Sequence, residues 1–299
     1  MSDPVRAELT ELLHLRAAAR QLPAGGLGPA RAARAGSHRA VWRGLGLEFD
    51  EVRAYQPGDD PRTIDWRVTA RRGRPHTKRF REERERPVLL LVDLGPGMYF
   101  ASRGVFKQVQ AARLAALLAW RAERHGDRVG GLVYDAHGHD ELPPRSRRAG
   151  VLALLRALTA RQAHAPAVPQ RGRLDAQLGR LARVARPGAL VVIVSDFSEL
   201  GEDAGPHLTA LGEHADLMAV FVHDPLEGEP PPPGRYHLGD GRRELWLDTG
   251  RPAVRERWRQ QFAARAGRVH ALCRRHRVRL LTCATDADPA RVLREGLAR

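Results

Sequence analysis

The side chains best suited to chemistry lie in a polar segment from Gly44 to Glu85, where acidic and basic residues alternate with aromatic ones. Its ten candidate residues are Arg53, Tyr55, Asp59, Asp60, Arg62, Asp65, Trp66, Arg71, Lys78 and Glu82. Tyrosine and tryptophan combine an apolar body with one hydrogen-bonding end, and buried charges are stable only when they are paired. The pattern therefore favours an ion-pair network that pins an N-terminal β extension onto the rest of the chain, and it is compatible with a recognition surface for a partner. A catalytic role is less favoured, because structural ion-pair networks perturb side chains as readily as active sites do.

A second set of candidates follows apolar runs further along the chain. Asp93, Asp135, Asp196 and Asp224 each end such a run, and Ser195 precedes the third. In open α/β sheets the working crevice lies beyond the carboxyl ends of the strands. We therefore expect these side chains to mark the functional edge of a sheet.

The elements that would position these residues alternate regularly after residue 87. Apolar runs that predict strands lie at 87–93, 127–135, 189–196, 216–224, 244–249 and 278–284. Helical spacing of apolar residues separates them, notably at 106–125, 151–160, 174–185, 207–215, 252–275 and 289–297. Strands that are apolar throughout and alternate with helices indicate a parallel sheet covered on both faces. The prediction is a doubly wound, mostly parallel α/β domain.

Three regions are expected. Residues 1–37 hold an N-terminal helix and a linker rich in Gly, Pro, Ala and Arg, residues 38–86 hold the polar segment as an extension module, and residues 87–299 form the α/β domain. The N-terminus has the spacing of an amphipathic helix, and the sequence contains no run of the roughly 18 apolar residues that a membrane span needs. We expect a soluble, cytoplasmic protein without membrane insertion.

Common enzyme patterns are missing from the sequence. A phosphate-binding loop needs Gly before its Lys and Ser or Thr after it, whereas Lys78 follows Thr77 and Lys107 follows Phe106. The nucleophile elbow GxSxG does not occur, and the GLGLEF stretch lacks the third glycine of a dinucleotide site. No catalytic residue is predicted.

The chain has a formal net charge of +15 over 299 residues, which raises the question of nucleic-acid binding. The basic residues are scattered, however, and only Lys78 and Lys107 are lysines. Net charge bears on solubility and non-specific association before it bears on function. Nucleic acid therefore stays an alternative partner.

The order of residues from Gly44 to Phe100 resembles the domain-of-unknown-function 58 (DUF58) family, whose core is similar to a von Willebrand factor A domain. The resemblance is carried by the patterns GxGxEF, VRxYxPGDDxRxIDWxxTAR and KxFxEER, and by Asp93, Met98, Phe100, Lys107, the GDRVG run at 126–130 and the strand ending in Ser195 and Asp196. It covers nearly the whole chain from about residue 38. It implies an adaptor or assembly role beside a MoxR-type AAA+ ATPase.

The von Willebrand A resemblance also implies a Mg²⁺ site, built from a DxSxS loop, a Thr in a second loop and an Asp after a later strand. Here the first loop reads Asp93, Leu94, Gly95, Pro96 and Gly97, so glycine replaces both serines. The segment RGRLDAQL offers no Thr. Asp93 and Asp196 are the remaining candidate ligands. Because Mg²⁺ affinity depends on its oxygen ligands, we expect a degenerate site and no cofactor. The alternative is a largely hydrated Mg²⁺ held by these two carboxylates, since the ion keeps several waters in most protein sites.

The expected function is that of a non-enzymatic adaptor or scaffold that acts through protein partners, a MoxR-type AAA+ ATPase above all. The alternatives from other classes are a metal-dependent hydrolase and an Arg-rich nucleic-acid-binding protein. Metal-dependent turnover lost in Asp93→Asn would indicate the first alternative, and steeply salt-dependent binding to DNA or RNA would indicate the second.

Overall fold

A computed structural model of the chain describes residues 3–23, 47–56, 61, 64–82, 85–162, 170–239 and 244–298, with side chains except at 47–53, 78–82 and 238. The chain divides into two compact units. The larger one comprises residues 1–35 and 86–299, and the smaller one comprises residues 36–85.

The larger unit alternates strands and helices. Its strands are β3 (Pro87–Asp93), β4 (Arg128–Tyr134), β5 (His139–Arg145), β6 (Leu190–Ser195), β7 (Asp216–His223), β8 (Arg235–Gly239), β9 (Glu244–Asp248) and β10 (Arg279–Ala284). Its helices are α1 (Leu9–Ala19), α3 (Lys107–Arg124), α4 (Arg147–Arg161), α5 (Arg173–Val184), α6 (Ala204–Gly212), α7 (Pro225–Gly228), α8 (Pro252–Arg275) and α9 (Pro289–Ala298).

Six of these strands form the central sheet, in the order β10-β7-β6-β3-β4-β5. The first five are mutually parallel, and β5 runs antiparallel to β4 at the edge. The prediction of an α/β fold around a mostly parallel sheet is confirmed. Because β3 and β6 are neighbours in the middle of the sheet, their carboxyl ends, which carry Asp93 and Ser195–Asp196, lie side by side.

Helices cover both faces of the sheet, as the uniformly apolar strands require. Val88, Leu90 and Val92 of β3 pack into a core shared with α1, α3, α4 and α9. Leu89 and Leu91 face the opposite core, with α5, α6 and α8. Successive residues of a strand point to opposite faces, so both faces of β3 are buried.

Two features of the larger unit differ from the expectation. Residues 139–145 form the edge strand β5, although the sequence HDELPPR is charged and contains Pro143 and Pro144. An edge strand tolerates proline because one side of its backbone needs no ladder partner. The predicted strand at 244–249 does form, as β9, but it pairs with β8 in a separate hairpin outside the central sheet.

The smaller unit contains the polar segment. Strands β1 (Leu47–Ala54) and β2 (His76–Glu82) pair antiparallel, which confirms the predicted β extension. Between them lies a short helix, α2 (Trp66–Arg72), that the sequence analysis did not predict. Asp65 caps its N-terminus by accepting hydrogen bonds from the backbone N–H groups of Arg67 and Val68. Gly73 ends the helix with a left-handed φ of 67°.

Candidate functional site

Asp93 and Asp196 lie next to each other at the carboxyl ends of β3 and β6. Their relative exposures are 2% and 1%, so both carboxylates are enclosed by protein. The parallel pairing of the two strands brings them together, since Val92 is in register with Val194. The structure therefore places together the two residues that the sequence singled out as metal ligands.

The Asp93 carboxylate accepts two hydrogen bonds from its surroundings. The backbone N–H of Gly95 donates to Oδ1 at 2.7 Å, and the Ser195 hydroxyl donates to Oδ2 at 2.6 Å. Burial and the neighbouring Asp196 raise the pKa of Asp93 to about 7, because both disfavour a second negative charge at this position.

The Asp196 carboxylate is bound by a buried ammonium group. Lys107, the first residue of α3, places Nζ 2.6 Å from Asp196 Oδ2 and 3.0 Å from Glu227 Oε1. Burial alone would raise the pKa of Asp196, but Lys107 outweighs it and holds that pKa below its ordinary value. Burial also opposes the charge on Lys107, yet Asp196 and Glu227 raise its pKa. The pair is therefore ionised.

Two further carboxylates complete what we call the buried charge cluster: Asp93, Lys107, Asp196, Glu199 and Glu227. The carboxylate of Glu227 also pairs with Arg265 at 2.8 Å. Glu199 accepts from the backbone N–H of Gln170 at 2.7 Å, and burial raises its pKa. Its Oε2 atom is buried and has no hydrogen-bond partner among the described residues.

The side chains of this cluster do not fit a Mg²⁺ ion. Such an ion needs near-octahedral oxygen ligands and several waters, whereas Asp196 Oδ2 already binds the Lys107 ammonium. Both oxygens of Asp93 accept protein hydrogen bonds. Within the described part of the chain, no group of three or more His, Cys, Asp or Glu side chains has a geometry that could hold a metal ion.

Glycine at position 97 lies against the cluster, where a side chain would displace the Asp196 carboxylate that Lys107 binds. A Cβ atom there would lie 2.3 Å from Ser198 Oγ and 2.7 Å from Asp196 Oδ2. We predict that Gly97→Ser, which restores a hydroxyl typical of von Willebrand A metal sites, lowers the free energy of unfolding by about 1–3 kcal/mol through overpacking. Urea unfolding measures this change. Gly267→Ser is the control, because a Cβ at Gly267 meets nothing within 4 Å, and equal stability of the two variants would contradict the prediction.

The other two strand-end aspartates have structural partners. Asp135 accepts from the backbone N–H groups of His137 and Gly138 and pairs with Arg161 at 3.0 Å. Asp224 accepts hydrogen bonds from the Ser102 hydroxyl at 2.5 Å and the Thr285 hydroxyl at 2.6 Å. Each therefore holds a loop in place at its own strand end.

A sequence model of the family described as "Protein of unknown function DUF58" matches residues 51–268. This chain belongs to the DUF58 family. Uncharacterized proteins of Mycobacterium tuberculosis and Mycobacterium bovis are each 32% identical to it over 257 residues, which is 85% of this chain and 79% of each relative.

Solved structures resemble this DUF58 chain more distantly. The conserved hypothetical protein BatB of Bacteroides thetaiotaomicron is 14% identical, covers 71% of this chain and 97% of its own, and has a TM-score of 0.46. A von Willebrand factor type A protein of Catenulispora acidiphila is 13% identical, covers 75% and 43%, and has a TM-score of 0.37. Scores below 0.5 support no conclusion, and the fold assignment rests on the sheet topology.

The candidate residues of the polar segment are described unevenly. Asp59, Asp60 and Arg62 lie outside the described residues, and Arg53, Lys78 and Glu82 are described only by their backbone in β1 and β2. Tyr55 is half-buried, and its backbone N–H donates to the carbonyl of Pro75. Trp66 is 70% exposed and Arg71 is exposed, so these two side chains of α2 are available to a partner.

Lys107, Glu199 and Glu227 were not among the site residues predicted from the sequence. Lys107 had a usable signal, because it is one of only two lysines among the 50 Lys and Arg residues of this DUF58 chain. A compact ammonium forms a buried point contact that a planar guanidinium does not reproduce. Glu227 had a weaker signal, since Asp224, Pro225 and Glu227 match an N-terminal capping box.

None of the described helices is long and apolar enough to cross a membrane.

Proposed function

We propose that this DUF58 chain is a non-enzymatic, cytoplasmic adaptor that acts by binding a protein partner. A MoxR-type AAA+ ATPase is the partner class that the family resemblance implies. The observation that supports the proposal best is the closure of the buried charge cluster: its central groups, Asp93, Lys107 and Asp196, are at most 2% exposed and bind one another or the adjacent loops.

A catalytic group must come within hydrogen-bonding reach of its substrate. Asp196 and Lys107 instead form an ion pair with each other, and Lys107 also pairs with Glu227. Through these contacts the cluster joins the loop after β6, the first turn of α3 and the short helix α7. It thereby fixes the loops that form the surface at the carboxyl ends of the strands, and that surface is what a partner can contact.

In the smaller unit, Trp66 is the side chain best suited to a partner. Its exposed fraction is 70%, and Asp65 fixes the start of the helix that presents it. Exposed aromatic residues are enriched at protein interfaces, where they often supply much of the binding energy. The polar segment is thus a recognition element in this proposal.

The test is direct binding to a purified MoxR-type ATPase encoded in the same genome, measured by biolayer interferometry with ATP, with ADP and without nucleotide. We expect binding in at least one state, and a loss of about tenfold or more in affinity for Trp66→Ala, as for an interfacial hot spot. Trp246→Ala is the matched control, because Trp246 is 72% exposed but lies on the β8–β9 hairpin.

Absence of binding in all three nucleotide states would refute the ATPase partner. If the two tryptophan variants lost the same affinity for the ATPase, a specific role of the polar segment in the interface would be contradicted. A DNA duplex that binds with steep salt dependence and competes with the ATPase would instead favour the nucleic-acid alternative.

A further inference from the structure

A cleft of about 460 Å³ runs along one face of α8 and ends at α7. Its main lining residues are Glu227, Trp258, Gln261, Phe262, Arg265 and Arg268. All but Glu227 lie on successive turns of α8, so they form one continuous stripe. The cleft combines two aromatic rings with two guanidinium groups.

The apolar part of the cleft is held rigidly. Trp258 donates its indole N–H to the carbonyl oxygen of Leu226 at 2.7 Å. Phe262 stacks on Phe221, with ring centroids 6.1 Å apart. Rigid aromatic walls lose little conformational entropy when a ligand binds, and this favours their use as anchors.

The basic part of the cleft is formed by the guanidinium groups of Arg265 and Arg268. The Arg265 guanidinium lies over the rings of Phe221 and Phe262 and pairs with Glu227. Its Nε atom is buried without a hydrogen-bond partner among the described residues. Arg268 is exposed, and the described residues offer it no hydrogen-bonding or ion-pair partner.

The one carboxylate among these lining residues is already engaged. Glu227 Oε1 accepts from Lys107 and pairs with Arg265, and Oε2 accepts from the backbone N–H of Asp224. The guanidinium groups therefore outweigh the carboxylate, and the cleft is positively charged. Guanidinium groups bind carboxylates through paired, charge-assisted hydrogen bonds.

We propose that this cleft binds an acidic segment of a protein partner, in which an Asp or Glu side chain stands beside an apolar one. Arg268 contacts the carboxylate, and Trp258 and Phe262 contact the apolar side chain. One exposed guanidinium beside two aromatic side chains suits a single carboxylate next to an apolar side chain. A phosphodiester chain is instead bound through several cationic contacts along its length, which favours a peptide as the occupant. This inference rests on the proposed function and names the chemistry of one contact.

The probe is an N-acetylated hexapeptide of alternating leucine and glutamate, added to the full chain. Binding is followed by the ¹H–¹⁵N signal of the Trp258 indole, assigned with Trp258→Phe. We expect a saturable shift that is absent when glutamine replaces every glutamate. Arg268→Glu should weaken binding at least about tenfold. Arg257→Glu should change it by less than about twofold, because Arg257 is an exposed arginine of the same helix outside the lining, and it controls for net charge.

Equal binding of the two peptides, or equal weakening by the two arginine variants, would overturn the proposal. Tighter binding of a DNA duplex with the same dependence on Arg268 would overturn it as well. The ATPase measurement separates the two proposals. If the peptide binds in an Arg268-dependent way but no ATPase binds, only the assignment of a MoxR-type ATPase as the partner is refuted. If Arg268→Glu leaves ATPase binding unchanged and the peptide does not shift the Trp258 signal, only the role of the cleft as a binding site is refuted.

Discussion

Lys107→Met is expected to lower the free energy of unfolding by about 3–5 kcal/mol, the usual consequence of removing one partner from a buried ion pair. Methionine retains much of the length of the lysine side chain but leaves Asp196 without its counter-ion. Glu227 keeps Arg265 and is affected less. Urea unfolding at pH 7, followed by circular dichroism, measures the change.

Two further variants make this result specific. Arg291→Met removes an ion pair with Glu295 whose partners are both 67% exposed, and it should cost less than about 1 kcal/mol. Adding Asp196→Asn to Lys107→Met should recover part of the loss, because the uncompensated charge is then gone. If Lys107→Met were no more costly than Arg291→Met, the cluster would not depend on the ammonium group.

Asp93→Asn is expected to change how stability depends on pH. The pKa of Asp93 is about 7 in the folded chain and 3.8 as the ordinary value, so between these values the folded state holds a proton that the unfolded state has released. Stability from this group is therefore complete below pH 3.8 and is lost as the pH rises to about 7. Asparagine cannot ionise and lacks this loss.

The stability of Asp93→Asn minus that of the parent chain should accordingly rise by a few kcal/mol between pH 5 and pH 8, since each pKa unit corresponds to about 1.4 kcal/mol. Urea unfolding at both pH values measures this difference in stability. The titration of most other groups is the same in both proteins and cancels in the difference. The charged groups that act on Asp93 are Asp196 and Glu199, and Lys107 acts through Asp196. A difference that stays constant with pH would contradict the raised pKa.

The order of elements in the larger unit could be predicted because its strands are apolar throughout. Runs such as PVLLLVD have no alternating polar face and are therefore typical of buried parallel strands. β5 was not predicted because an edge strand can contain charged residues and proline, and the two prolines of HDELPPR are more typical of a loop. α2 was missed because its seven residues are too few to show a helical period.

The candidate site was predictable only in part. Asp93 and Asp196 stand at strand ends, where topology alone brings them together. Lys107 reaches Asp196 across 89 residues of sequence, and no local pattern reports such a contact. The same holds for Arg265 and Glu227, which meet only because α8 packs beside α7.

The paired prolines of β5 have a consequence for how this chain can associate. The pairing of β4 with β5 shifts register between Val129 and Gly131, so Pro143 and Pro144 lie at a β-bulge, and neither proline has a backbone N–H to donate. A foreign strand approaching that edge would meet a gap in the hydrogen-bonding ladder, a common protection against edge-to-edge aggregation. These features disfavour growth of the sheet at β5, so contacts with β5 side chains are favoured over extension of the backbone ladder.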